Sequence, residues 1–268
     1  MTLAGGDDAV RGVVLDVEGT TTPMSFVYDV LFPYARARLR DFFRVRAGDA
    51  VVQDAIARLA TEWTVDLAAD GSVPPWPDAP AWAACERESS PARSGVATSP
   101  ARTTHADIVA MSDYVEWLMD RDRKSTGLKI VQGEIWRGGF ESGALLGEVY
   151  LDVKPALERW RAGGRIVAIY SSGSATAQRL LFGHSTAGDL TPLIDRHFDT
   201  TVGPKRSAES YTAIARALNL PPAALLFVSD VDAELVAARA AGLDTRLCVR
   251  SGDAPPSTSP VIRSFDEL

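Results

Sequence analysis

Residues 13–26, VVLDVEGTTTPMSF, decide how this chain is read. An apolar, β-branched run enters Asp16, Glu18 follows two positions later, and Gly19 opens a Gly-Thr-Thr-Thr turn. In extended backbone, residues two apart project to the same side, so both carboxylates face one ligand. Gly19 then lets the chain bend closely around it. Two anions held together need a cation or a proton between them.

The same grammar recurs downstream. Short β-branched runs at 165–170, 225–229 and 245–249 join residues 12–16 as expected strands, and helix-like periods fill 153–161, 175–181, 208–218 and 233–240. Strands alternating with helices predict an α/β, doubly wound, Rossmann-like parallel sheet. Ligands of such sheets bind at the carboxyl ends of the strands. Asp16, Ser171 and Asp230 each stand at such an end, and this convergence on one rim is more specific than any one motif. Asp230 adds a third carboxylate, which makes a hard, oxygen-ligated ion such as Mg²⁺ the natural partner.

Two weaker signals accompany them. In YSSGSATAQRLLF, Ser171 and Ser172 precede a helix whose N-cap is expected at Ser174, and hydroxyls beside free helix N–H groups suit phosphate. In TTVGPKRSAESY, Gly203 and Pro204 shape a loop that presents Lys205 as a compact charge, with Arg206 its rival and Ser207 the expected N-cap of the next helix. His184 reads as a packing residue beyond the helix after Ser174. Asp232 reads as a cap for the helix from Ala233 or as an added metal ligand.

Between the first strand and the remainder, residues 26–149 carry almost no strand signal, while 27–46, 50–69 and 104–122 are helical in period. The expected domains are therefore a core of 1–25 and 150–268 and a mostly helical cap of 26–149. Residues 70–103 are rich in Pro, Ser, Ala and Gly without a sustained period, so a flexible surface loop is expected there, with Trp76 and Trp82 pinning it to the insert or forming an interaction patch.

Composition bounds the function. With 28 Lys+Arg against 35 Asp+Glu and a net charge of -7, the chain lacks the surface of a general nucleic-acid binder. Two cysteines, Cys85 and Cys248, make no disulfide framework and no zinc spacing. The N-terminus has no apolar leader and no uninterrupted apolar run spans a bilayer. A cytoplasmic monomer is expected, with no nucleic acid and no membrane as partner.

These motifs resemble the haloacid dehalogenase-type phosphatases. The segments LDVEGTTTPMSFVYDVLFPYA, GLKIVQGEIWRGGFESG, IYSSGSATAQRLLFGHSTAGDL and HFDTTVGPKRSAESY are similar, more closely, to the enolase-phosphatases of methionine salvage, which carry Glu where most of the superfamily has Asp, as at Glu18. The resemblance implies Asp16 as nucleophile, Glu18 as acid and then base, and Ser171, Ser172 and Lys205 as phosphate holders. It implies Mg²⁺ held by Asp16, Asp230 and Glu18, the last by side chain or main-chain carbonyl. It further implies enolisation and dephosphorylation of 2,3-diketo-5-methylthiopentyl 1-phosphate to the acireductone, with a cap that excludes water. Within that cap, residues 132–140 are the candidate contact to substrate, or Ile135, Trp136 and Phe140 merely pack. The rivals are an Mg²⁺-dependent phosphatase for another small ester and a silent binding protein that docks a partner through 70–103.

Overall fold

The computed structural model describes residues 10–77 and 103–268, so the readings made for Cys85, Trp82 and most of the 70–103 loop lie outside the described residues. The chain divides into two compact units, residues 33–135 and residues 1–32 with 136–268.

The second of these is an α/β unit. Six parallel strands lie in the order β3-β2-β1-β4-β5-β6: β1 (Gly12–Leu15), β2 (Ile166–Tyr170), β3 (Arg196–Phe198), β4 (Leu225–Ser229), β5 (Asp244–Cys248) and β6 (Val261–Ile262). Central β1 pairs with β2 (Gly12↔Ile166) on one side and with β4 (Gly12↔Leu225) on the other. A strand paired on both edges and covered on both faces must be apolar throughout, and Val13, Val14 and Leu15 are each 0% exposed. Helices α6 (Val153–Ala162), α7 (Ala175–Gly183), α8 (Ala208–Ala217) and α9 (Asp232–Ala240) follow the expected segments to within two residues. Tyr211 and Ile214 of α8 and Leu235 and Ala238 of α9 close over Val14, Ala168, Tyr170 and Phe227 of the sheet.

Strands β3 and β6 were not expected, because an edge strand with one paired side needs no apolar run. Arg-His-Phe and Val-Ile are too short to show a period. Asp232 begins α9 instead of capping it: Val231 holds the cap position, and the Asp232 carboxylate accepts from Ser257. Ser174 does cap α7, accepting from Ala177 N at 3.2 Å. Ser207 holds the N-cap position of α8 without a side-chain capping bond. His184 ends α7 with Nδ1 3.1 Å from Leu180 O and its ring against Phe140, the packing role expected.

Residues 33–135 form the helical unit. It contains α2 (Leu39–Arg46), α3 (Ala50–Ala69), α4 (His105–Asp120), nearly all of α1 (Phe32–Arg36) and the first part of α5 (Thr126–Glu141). Helix α3 buries Val52, Ala55, Ile56 and Leu59, a stripe at i, i+3, i+4 and i+7. Thr104 and Asp107 make a reciprocal capping box at the start of α4. Asp66, 4% exposed, is balanced by Tyr114 Oη at 2.8 Å and by Arg123, so its burial carries no orphaned charge. Trp76 is buried with its ring edge-on to Tyr114, which is the pinning role. Farther along α5, Ile135 and Phe140 are buried, and Trp136 donates to Leu31 O at 2.9 Å and stacks on Phe32. All three are packing residues. Among the described residues no helix is long and apolar enough to cross a membrane.

His197 on β3 yields a pH test. Gln178 donates through Nε2 to Gly173 O and Phe198 O, so its Oε1 is left to accept from His197 Nδ1 at 3.2 Å. Burial, with Arg179 nearby, pushes the imidazole down to about 4. An unfolded histidine titrates near about 6.5, so between the two values the unfolded chain binds more protons and stability falls as pH falls. Wild type should lose about 1–2 kcal/mol more than His197→Asn between pH 7 and pH 4.5 in urea unfolding. Equal losses would show that His197 already titrates normally in the folded protein.

Candidate active site

The site starts where β1 stops. Asp16 N still joins the ladder, donating to Val228 O at 3.0 Å, so the Asp16 side chain emerges beside Ser229 and Asp230 at the end of β4. It is 2% exposed. Val17 N donates to its Oδ1 at 2.8 Å and Ser229 Oγ to its Oδ2 at 2.8 Å. Lys205 Nζ lies 2.6 Å from the same Oδ1 and 2.7 Å from Glu234 Oε2.

The loop that delivers Lys205 is tied down before the ammonium arrives. Tyr170 Oη donates to Gly203 O at 2.9 Å, Ser210 Oγ to Pro204 O at 2.8 Å, and Tyr211 Oη to Lys205 O at 2.7 Å. Lys205 is therefore buried, 8% exposed, and not the solvated lysine that its surroundings in sequence would allow. Burial alone would push its ammonium down, but Asp16 and Glu234 outweigh that and hold it above its ordinary value.

The turn after β1 answers why Gly and three threonines follow two carboxylates. Backbone N–H groups of Thr20, Thr21 and Thr22 all converge on Val17 O at 3.2, 3.0 and 2.9 Å, and Gly19 N returns to Thr22 O at 2.8 Å. The chain folds back on itself within five residues. Gly19 takes φ +70°, and a Cβ there would stand 2.2 Å from Asp230 Oδ2. Only glycine lets the first acidic strand end approach the second so closely. Glu18 is then partly buried and accepts from Ser171 Oγ at 3.2 Å. Ser172, the next residue, is exposed on the turn into α7.

Thus Asp16, Glu18, Ser171, Lys205 and Asp230, gathered from four separate segments, share one rim. Sequence reasoning missed Glu234 and Ser229. Glu234 stands one helical turn after Asp230, and that spacing at a strand-to-helix turn was the available signal.

Four carboxylates face one ammonium here. Burial raises Glu18, and the negative Asp16 raises it further. The same two causes lift Asp230 to about 6 and Glu234 to about 7. That surplus of hard oxygen charge fits a divalent cation such as Mg²⁺. Among the described residues no group of three or more His, Cys, Asp or Glu side chains is arranged to hold a metal ion by itself. An ion that keeps several waters and takes further ligands from a substrate phosphate needs none.

The chain belongs to the haloacid dehalogenase-like hydrolase family, whose sequence model matches residues 10–242. Within it, the relatives are enolase-phosphatases. The chain is 45% identical over 262 residues to "Enolase-phosphatase E1" of Synechococcus elongatus, covering 97% of this chain and 98% of the relative. It is 41% identical over 245 residues to the protein of the same name from Xenopus tropicalis, covering 91% and 87%. The crystal structure of the UTR4 protein of Saccharomyces cerevisiae superimposes with a TM-score of 0.71 at 28% identity, covering 97% of this chain and 100% of that one. Likeness of that extent, over both units, favours an enolase-phosphatase over a phosphatase for an unrelated ester.

Gly19→Ala should cost about 1–3 kcal/mol in thermal unfolding and displace Asp230, because it combines a left-handed conformation with a clash. Unchanged melting and unchanged phosphatase activity would show that the turn relaxes without disturbing the rim.

Proposed function

We propose that the chain converts 2,3-diketo-5-methylthiopentyl 1-phosphate to 1,2-dihydroxy-3-keto-5-methylthiopentene, the acireductone of L-methionine salvage, and phosphate, first enolising the substrate and then removing its phosphate. The observation that carries this reading is the Asp16–Lys205–Glu234 cluster with Glu18 two residues from Asp16, in a chain 45% identical to an enolase-phosphatase.

Asp16 is the nucleophile. Val17 N and Ser229 Oγ fix its carboxylate, and Lys205 offsets its charge, so that it meets an anionic phosphoryl group in a set orientation. One Asp16 oxygen forms a bond to phosphorus as the bond from phosphorus to the ester oxygen breaks. Glu18, in which burial and the negative Asp16 favour the protonated form, gives a proton to that departing oxygen. In the second half, Glu18 takes a proton from water as the water oxygen attacks phosphorus. The bond to Asp16 breaks and the carboxylate is restored.

The ammonium of Lys205 has three N–H donors; two serve Asp16 and Glu234, and the third is available to a phosphate oxygen. Ser171 and Ser172, at the start of α7, supply hydroxyls for the other oxygens. Mg²⁺ held by Asp16 and Asp230, with Glu18 contributing through its side chain or carbonyl, would neutralise charge between carboxylate and phosphate. In this reading residues 26–149 are the helical cap domain, and residues 1–25 with 150–268 are the core domain that carries the chemistry. The enzyme works as a cytoplasmic monomer on a small phosphorylated diketone, without nucleic acid or membrane.

Asp16→Asn should lower phosphate release by at least about 10⁴-fold, the scale lost when a nucleophile is removed. EDTA should abolish release and Mg²⁺ restore it. With the diketo phosphate as substrate, an enol absorbance should rise before phosphate appears. Faster turnover of sugar phosphates with no enol signal would assign the chain to another ester.

A further inference from the structure

The turn after β1 closes most of its hydrogen bonds on itself, but two of its carbonyls have partners outside it. Tyr150 N, just ahead of α6, donates to Thr21 O at 3.0 Å. Arg250, beyond β5, donates to Thr20 O through both Nε and Nη2, at 2.9 and 2.7 Å. The hydroxyls of Thr20 and Thr22 are buried without a hydrogen-bond partner, so they do not tie the turn to its surroundings. Its attachment to the rest of the α/β unit on this side therefore runs through those two carbonyls, and the charged donor among their partners is Arg250.

Arg250 is itself held fast. Its side chain is 8% exposed, and Nη1 donates to Asp152 Oδ2 at 2.6 Å. Its guanidinium carbon lies 4.3 Å from the Tyr150 ring centroid and 4.5 Å from that of Phe265. Asp152 Oδ2 accepts in addition from Phe265 N at 2.6 Å and from Ser264 Oγ at 3.2 Å. Burial alone would raise the Asp152 carboxyl, but its bonds to Arg250 and Phe265 N hold it below its ordinary value. Stability does not require such a set, since apolar side chains of similar volume often serve a fold as well as a buried ion pair does. What a planar fork with two N–H bonds to one oxygen adds is direction.

Glu18 is the side chain that this direction serves. It stands between Val17, whose carbonyl gathers three N–H groups of the turn, and Gly19, whose N–H returns to Thr22 O and which presses against Asp230. With both neighbours set, Glu18 meets Ser171 Oγ at 3.2 Å. A turn displaced by about 1 Å would carry the carboxyl off a reacting oxygen, and misplacements of that size cost about 100-fold. We propose that Arg250 is a positioning residue for the general acid: acting through Thr20 O, it holds the turn so that Glu18 faces the departing oxygen. The inference rests on the proposed reaction in giving Glu18 that role. Asp16 is held separately by β4 and Ser229, and Lys205 by the tyrosine-tied loop after β3, so loss of Arg250 should spare phosphate binding.

The test compares kcat/KM for phenyl phosphate and 4-nitrophenyl phosphate, similar in shape but not in leaving group, on the full chain with Mg²⁺. The ratio kcat/KM reports the first phosphorus–oxygen cleavage, in which nitrophenolate departs as a stable anion and phenolate needs a proton. Arg250→Gln should lower turnover of the phenyl ester about 100-fold and of the nitrophenyl ester less than about tenfold. Inorganic phosphate should inhibit native protein and variant alike, and Glu18→Gln should show the same bias between esters. Equal losses on both esters in Arg250→Gln overturn the proposal, because a merely loosened fold harms both alike. If Arg250→Gln does not fold, Arg250→Lys carries the comparison: it keeps a cation beside Asp152 but cannot give Thr20 O two parallel bonds, and again a bias supports the proposal and equal losses overturn it. Bias in Glu18→Gln without bias at position 250 removes the role of Arg250 and leaves the reaction standing. Absence of bias in Glu18→Gln removes Glu18 as the acid, and the role of Arg250 with it.

Discussion

A buried lysine holding two carboxylates apart is the constraint on which this structure turns. Asp16 and Lys205 are 2% and 8% exposed, and a charge so placed is costly unless it is paired and hydrogen-bonded. The pair can exist only if β1 and β4 run side by side in register and if the loop after β3 is rigid. Three side-chain hydrogen bonds to the backbone of residues 203–205, two from tyrosines and one from Ser210, supply that rigidity. Tyr170 and Tyr211 belong at the same time to the core that closes helices onto the sheet. Folding and site assembly are thus one event, since the residues that complete the core also aim the ammonium.

The cluster is deliberately out of balance. One ammonium cannot neutralise Asp16, Glu18, Asp230 and Glu234, and burial, reinforced by the negative Asp16, raises the carboxyls of the last three. Replacing such a set with apolar side chains would stabilise the fold. A divalent cation and a phosphate, the ligands of the proposed reaction, would offset that charge. Gly19 serves the same end by letting the turn press against Asp230 at a spacing that a side chain would forbid.

Much of this was legible in the linear chain. Residues 13–15, 166–170 and 225–228 are apolar because a central parallel strand meets protein on every side, and the polar residue that ends each run marks the ligand edge. Most helices of both units were visible as periods, as in the Val52–Ala55–Ile56–Leu59 row, but α5 (Thr126–Glu141) was not among the expected ones. Edge strands β3 and β6 were not, since pairing on one side leaves no compositional trace. The role of Asp232 was misjudged because caps are set by local φ and ψ, and Val231, not Asp232, carries the extended geometry there.

What the sequence determined by itself was chemistry and periodicity: which strands are central, where each ends, and which carboxylates, hydroxyls and lysine stand at those ends. Tertiary structure alone decided partnership. Glu234 joined Lys205, Ser229 was turned to Asp16, and Arg250 was spent on Thr20 O and Asp152. The reason is physical: strand ends are specified by neighbours in sequence, whereas pairing energies depend on distances between segments up to 230 residues apart, as Thr20 and Arg250 are.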